Sequence, residues 1–582
     1  MKVECSHPIL KIAVDQNSVI SQAEPHPCDV LVVGGGINGA GIARDLAGRG
    51  WRVVLAERDD LASHTSSSST KLIHGGLRYL EYYEFSLVRK ALKEREVLLR
   101  SAPHIMWPLR FVMPHDPSAS FLRPAWMIRL GLFLYDHLAK REVLPGSRGV
   151  DLRQHPAGAP LKPGFSQGFV YSDGWVDDAR LVLLCAQDAA AKGARVLTRC
   201  AVTAAQRSAQ GWLVTLSHAD GRQETVQARA LVNAAGPWAE SFLRGTATPA
   251  QGEALATKHL RLVKGSHIVV PRCFEHDHAY IFQNPDKRII FAIPYEREFT
   301  LIGTTDEEIH GDPAQARISE AEVAYLCEQA SRYFTRPITP ADVAWSYSGV
   351  RPLLDDDSGD PSAVTRDYML ESNVLPTLGG APSATAPAGG APPSDARRAA
   401  PSKSAAPLGG ATAPAGGAPL VSVWGGKITT FRKLAEDAAT EVGRLLGEAR
   451  HPWTEGALLP GGDLSAWIGP PQRPDTDFAR FVQALQQRHP WLPPALALRW
   501  ARAYGGQVSQ LLGAATSLQG LGAEVAPGVF EAELRHLQAR EFALTGEDVL
   551  WRRSKLGLHL NAEARQAVIE WMSAQASALQ RA

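Results

Sequence analysis

Val30 to Val33 form an unbroken apolar run that ends on three glycines, Gly34 to Gly36. Beyond them apolar residues recur at helical spacing to Gly48, and a second apolar run from Trp51 to Ala56 is closed by Glu57. Such runs, bounded by turn residues, read as strands buried on both faces. The stretch predicts a strand, a glycine turn, a helix from about Asn38 to Gly48 and a second strand. Phe85, Val88, Leu92 and Leu99 share one helical face and predict a helix over 84–100. Residues 121–141 are apolar with basic residues at both ends. They read as a buried helix whose ends reach solvent, with a helix lying on a membrane surface as the alternative. Residues 175–197 predict a helix and then a strand; residues 211–243 predict a hairpin turning at Asp220-Gly221. The short runs "RLVKGSHIVVP", "AYIFQ", "RIIFAIPY" and "FTLIGTTD", between 261 and 306, predict an antiparallel sheet that walls a substrate site. Residues 420–446 repeat the strand, glycine turn and helix, and from about 450 onward the spacing is helical.

Residues 376–419 differ. "LGGAPSATAPAGGAP" at 378 is nearly repeated by "LGGATAPAGGAP" at 408. This composition buries too little apolar surface to offset the entropy of ordering, which predicts a disordered insertion without catalytic function. A chain of 582 residues exceeds one ordinary domain. The expected organisation is a disordered arm over 1–27, interleaved nucleotide and substrate domains over 28–447, and an α-helical domain over 448–582. Lys and Arg (61) balance Asp and Glu (60), so no bulk field points to nucleic acid. Six cysteines without C-x-x-C spacing indicate reduced thiols and a cytosolic setting. No apolar run approaches the roughly 20 residues needed to cross a bilayer. The first 27 residues hold only "ILKIAV", interrupted by Lys11, and do not read as a secretory signal.

Gly34, Gly36 and Gly39 stand in G-x-G-x-x-G spacing between the first strand and its helix. This arrangement suits a tight turn, close approach of a pyrophosphate and close helix packing. The helix start offers free amides and a positive dipole end to that pyrophosphate. Glu57 falls about 20 residues on, where an acid takes the ribose hydroxyls. An acid there favours FAD or NAD over NADP.

The motifs "GGGINGAGIARDLAGRG", "KLIHGGLRYLE", "YDHLAKR", "YSDGWVDDARLV", "NAAGPW", "KGSHIVVP", "IGTTD", "YSGVRPL", "GGKITTFRKLAE" and "LWRRSKLGLHLN" occur in order over most of the chain. Together they resemble the FAD-dependent, quinone-linked glycerol-3-phosphate dehydrogenases of aerobic bacteria. The long N-terminal arm and the 376–419 insertion depart from that pattern without touching a motif. The resemblance implies an α/β fold: a Rossmann-type FAD domain, an antiparallel-sheet substrate domain and an all-α C-terminal cap. It also implies oxidation of sn-glycerol 3-phosphate, electron transfer to a membrane quinone, and peripheral attachment to the cytoplasmic face of the cell membrane, with a homodimer among the assemblies it allows. A glycerol-3-phosphate oxidase using O₂ is the alternative.

A phosphate dianion needs fixed cations. Arg78, Arg351 and Lys427 each follow a glycine turn within a shared motif. By resemblance, Arg78 and Tyr79 hold the phosphate, while Arg351 and Lys427 lie near the flavin and polarise the C2 oxygen. Removing the hydroxyl proton calls for a base such as neutral histidine. His74 is the first choice; His267 is the second and otherwise contacts substrate. Hydroxyls from Ser66 to Thr70, Ser66 and Ser69 among them, read as pyrophosphate or flavin contacts, with helix capping as the alternative. Gly236, Gly426 and the backbone of Ile428 and Thr429 complete the expected cofactor site.

Overall fold

The computed structural model describes residues 25–116, 122–250, 255, 257–355, 367–375 and 417–581. Most of the arm expected over 1–27 and of the insertion expected over 376–419 lies outside the described residues. Strand β1 (His26–Val33) begins inside the expected arm, and a strand over Gly417–Trp424 begins inside the expected insertion.

β1 is followed by helix α1 (Ile37–Gly48) and strand β2 (Val53–Ala56). β1 lies between β2 and the strand Gln223–Asn233, parallel to both. Gly417–Trp424 adds in parallel beyond Gln223–Asn233, and Arg195–Leu197 adds in parallel beyond β2. This sheet is buried on both faces, which is why its strands read as unbroken apolar runs. One face packs on α1, on the helix Phe431–Leu445 and on a helix described below, through Ile42, Leu46, Leu434 and Val442. The hairpin Gly211–His218 and Gln223–Asn233 pairs Thr215 with Thr225, as the Asp220-Gly221 turn predicts.

Among the described residues the second sheet has ten strands. Short strand β3 (Leu72–Ile73) and long strand β4 (Met106–His115) both pair with Gln167–Val176. Leu260–Pro271 is flanked by Phe299–Gly303 and Trp345–Leu354, both antiparallel to it. The expected antiparallel wall is present, and on its outer side Ala279–Gln283 joins β4 in parallel. Helix α2 (Phe85–Ser101) starts one residue later than its spacing predicts.

Helix α3 (Ala125–His137) corrects the reading of 121–141 as a buried helix. Only Leu132 and Tyr135 are buried, whereas Trp126, Leu130, Phe133 and Leu134 are exposed. The segment is apolar on every side, and the sheet can cover only one stripe of it.

The C-terminal helices enclose their own core around Phe481, Leu485, Trp500, Leu534 and Met572. The unit is not all-α: Glu524–Ala526 and Val529–Phe530 form a small hairpin. It is fastened to the first domain by buried ions. Arg180, on helix α4 (Asp178–Ala191), donates to both carboxylate oxygens of Glu541 at 2.6 and 2.9 Å. Arg553 and Arg552 meet Asp60, and Arg199 meets Asp548 at 2.7 Å. The three arginines beside Asp548 hold its carboxyl far below the usual range, against the effect of burial. Removing one partner of such a pair leaves a buried charge, at a cost of about 3–5 kcal/mol. Glu541→Ala is therefore expected to lower unfolding stability by that order in urea titrations. Replacing the pair together, Arg180→Met with Glu541→Leu, should recover most of the loss.

Candidate active site

The cavity begins where β1 ends. Gly34 turns the chain at φ +105°, and a Cβ there would lie 2.6 Å from the carbonyl oxygen of Ala234. A Cβ on Gly39 would lie 1.8 Å from the Gly34 oxygen, so strand and helix approach to a distance only glycine permits. α1 carries no acid in its first turn. The Ile37 amide donates to Ser66 Oγ at 3.0 Å. Glu57 accepts from the Gly35 and Asp59 amides at 2.5 and 2.8 Å. Burial raises its pKa, and these two amides work against that rise.

A second glycine turn closes the other end. Gly425 and Gly426 both have positive φ (+69° and +98°), and Asn38 Nδ2 donates to the Gly425 carbonyl at 3.2 Å. Lys427 follows, and a single helical turn over Ile428–Thr430 leads into the helix Phe431–Leu445. The Lys427 ammonium sits 3.8 Å from the ring centre of Tyr79. Tyr79 belongs to the turn Leu77–Tyr82, and Arg78 beside it donates to the Lys287 carbonyl at 3.2 Å.

β3 delivers His74 to the cavity between these ends. The His74 amide donates to Thr429 Oγ1 at 3.1 Å. The next amide, Gly75, is held by the Tyr135 hydroxyl at 2.8 Å and by Asp173 at 3.2 Å. Arg351 donates to the Asp306 carboxylate and, at 2.9 Å, to the Thr305 carbonyl. His267 shares a hydrogen bond with Thr70 Oγ1 at 2.9 Å and stacks on Tyr347. Burial, then the cations Lys71 and Arg351, push its pKa down to about 3. The ring is neutral at ordinary pH, which makes His267 a weak base and a sound hydrogen-bond partner. Ser69 donates to Asp178 at 2.7 Å, and Asp178 also takes the buried Lys71 ammonium at 2.7 Å.

His74, Arg78, Tyr79, His267, Arg351 and Lys427 line one cavity of about 740 Å³ together with Gly34, Gly36, Glu57, Ser66, Ser69, Gly236, Gly426, Ile428 and Thr429. Gly39 lies behind it and acts by packing. Sequence reasoning gave no role to Asp306, Asp173 and Tyr135, and read Thr70 only as one of the hydroxyls of 66–70 that contact the cofactor. Asp306 and Asp173 stand inside the motifs "IGTTD" and "YSDGW", so their signal was present. Tyr135 opens the motif "YDHLAKR", but its contact with the His74 turn arises only in the fold.

The cavity suits FAD along its length. It offers a helix start without acids, an acid at the end of the second strand, and a second glycine turn led by a lysine at the far end. Because no shift of the Gly34 backbone is open to β1, Gly39→Ala is expected to yield protein without bound flavin. The ratio of 450 nm to 280 nm absorbance after purification measures this.

Residues 29–386 match the FAD dependent oxidoreductase family, and residues 453–580 match the C-terminal domain of alpha-glycerophosphate oxidase. D-erythritol 1-phosphate dehydrogenase of Brucella abortus is 46% identical over 94% of this chain and 98% of its own. Glycerol-3-phosphate dehydrogenase of Pseudomonas aeruginosa is 47% identical over 94% and 95%. Aerobic glycerol-3-phosphate dehydrogenase of Escherichia coli is 45% identical over 94% and 97%. The crystal structure of the glycerol-3-phosphate dehydrogenase of Bacillus halodurans complexed with FAD superposes with a TM-score of 0.67 at 25% identity, covering 96% of this chain and 92% of that one. The chain thus belongs to the FAD dependent oxidoreductase family, in the branch that includes the bacterial glycerol-3-phosphate dehydrogenases.

Proposed function

We propose that the protein oxidises sn-glycerol 3-phosphate to dihydroxyacetone phosphate and passes the electrons to a quinone. The observation that carries this reading is the meeting of Arg78, Arg351, Lys427 and His74 in the cavity that suits the flavin. Bound FAD supplies the two-electron acceptor. Arg78 binds the phosphate dianion through charge-assisted hydrogen bonds. Arg351 is held by Asp306 and Thr305, so its remaining hydrogens keep a fixed direction toward the C2 oxygen. With Lys427 it stabilises the negative charge that grows there. His74 takes the hydroxyl proton. His267, neutral and held by Thr70, lines the same cavity and is the second residue assigned to the substrate.

A four-carbon polyol phosphate is the second reading, favoured by the relative named for D-erythritol 1-phosphate. The same cations serve both substrates, so comparing kcat/KM for the two compounds separates the readings. Oxygen uptake during turnover tests the oxidase alternative.

A quinone acceptor requires contact with a membrane. No helix among the described residues is long and apolar enough to cross one. α3 supports peripheral contact on the cytoplasmic face: Trp126, Leu130 and Phe133 are half or more exposed, with Arg123 and Lys140 at its flanks. Such a face suits the headgroup boundary of anionic lipid. Phe133→Glu is expected to release the protein from anionic vesicles in co-sedimentation while leaving turnover with a soluble dye intact.

Arg78→Ala should lower kcat/KM for glycerol 3-phosphate by about one to two decades. Any slow oxidation of unphosphorylated glycerol should change little. Lys427→Ala should harm both substrates. Equal losses for both substrates in Arg78→Ala, at full flavin occupancy, would remove Arg78 from the phosphate site. A purified protein whose 450 nm band does not bleach anaerobically with either polyol phosphate would overturn the reading.

A further inference from the structure

The turn that carries His74 is gripped from two sides. On one side the His74 amide donates to Thr429 Oγ1. On the other, the Gly75 amide donates to the Tyr135 hydroxyl at 2.8 Å, with Asp173 Oδ1 farther off at 3.2 Å. A tyrosine hydroxyl has a single proton, and here it is committed: Tyr135 donates to Asp173 Oδ1 at 2.7 Å. Asp173 is itself fixed by Arg95, whose Nη1 donates to Oδ1 at 2.5 Å and to the Ser172 carbonyl at 3.0 Å. Arg95, Tyr135 and Asp173 are at most 3% exposed. With its proton spent on the carboxylate, the hydroxyl can only accept, and its lone pair faces Gly75.

The turn also has no slack. A Cβ on Gly75 would lie 2.4 Å from Leu92 Cδ2 and 2.6 Å from the Tyr135 oxygen, and Gly76 has φ +78°. Two consecutive amides held by different elements fix the backbone of His74 and so the point from which its imidazole projects.

We propose that Tyr135, backed by Asp173 and Arg95, is a positioning residue that aims His74 at the substrate hydroxyl. The proposal rests on the reading of His74 as proton acceptor. Phenylalanine at 135 keeps the ring but leaves the Gly75 amide only its longer contact with Asp173. A displacement of about 1 Å in a reacting group can cost on the order of a hundredfold in rate.

The test is stopped-flow bleaching of the holoenzyme by glycerol 3-phosphate without oxygen, in wild type, Tyr135→Phe, His74→Gln and the double variant. Tyr135→Phe is expected to slow bleaching by about 10- to 100-fold with substrate affinity and flavin content little changed. In the His74→Gln background the same change should cost less than threefold, because the residue it positions is gone. A merely structural Tyr135 would slow both backgrounds alike, or lower only the melting temperature; either result overturns the proposal. A His74→Gln enzyme that bleaches at the wild-type rate would instead overturn the reading of His74 itself. If Tyr135→Phe loses its flavin, Asp173→Asn is carried through the same comparison, with the same loss and the same non-additivity expected.

Discussion

One missing carbon sets the geometry of the site. With only a hydrogen on Gly39, α1 can lie against the Gly34 carbonyl, which places the helix start at the end of β1. The amides of the helix start, the Ser66 hydroxyl and the Glu57 carboxylate take their positions from that contact. The substrate half depends on it in turn. Asn38 in the first turn of α1 holds Gly425, and the chain leaving Gly425 carries Lys427 and Thr429. Thr429 then holds the His74 turn. A chain of direct contacts therefore runs from the first glycine turn to the proposed base.

The cations that line the cavity are not loose charges. Arg351 is tied to Asp306, and the Lys427 ammonium lies over the face of Tyr79. Each such partner lowers the cost of keeping a cation in a half-buried cavity. The same economy of charge joins the C-terminal unit to the first domain, where arginine and carboxylate pairs such as Arg180 and Glu541 are wholly buried.

Much of this was legible in the sequence, for a physical reason. The first sheet is buried on both faces, so its strands stand out as apolar runs, and each glycine turn has a local steric cause. Arg78, Lys427 and His74 were picked out because each sits beside such a turn; Arg351, read as following one too, lies instead in mid-strand within Trp345–Leu354. Tyr135 was not picked out: it opens the motif "YDHLAKR", but its role depends on Arg95 and Asp173, which come from other elements. The exposure of α3 was misread for a related reason. Spacing shows that a helix is apolar, but which stripe is covered depends on where the sheet ends. The neutrality of His267 was equally hidden, since burial beneath Tyr347 and beside Lys71 arises only in the folded chain.

The first sheet draws neighbouring strands from residues 26–33, 53–56, 195–197, 223–233 and 417–424. Contacts this distant in sequence slow folding, because long loops must close before they are rewarded. On the ribosome, the end of Gln223–Asn233 beyond its hairpin, Leu231 to Asn233, lacks its outer neighbour until nearly 200 further residues have been made. The second glycine turn and Lys427 emerge only after that strand. The flavin end of the cradle is consequently among the last parts to form, and early intermediates expose apolar strand edges to other chains. Synthesis of this protein accordingly includes an interval in which an open strand end can pair with another chain, before any cofactor can contribute to stability.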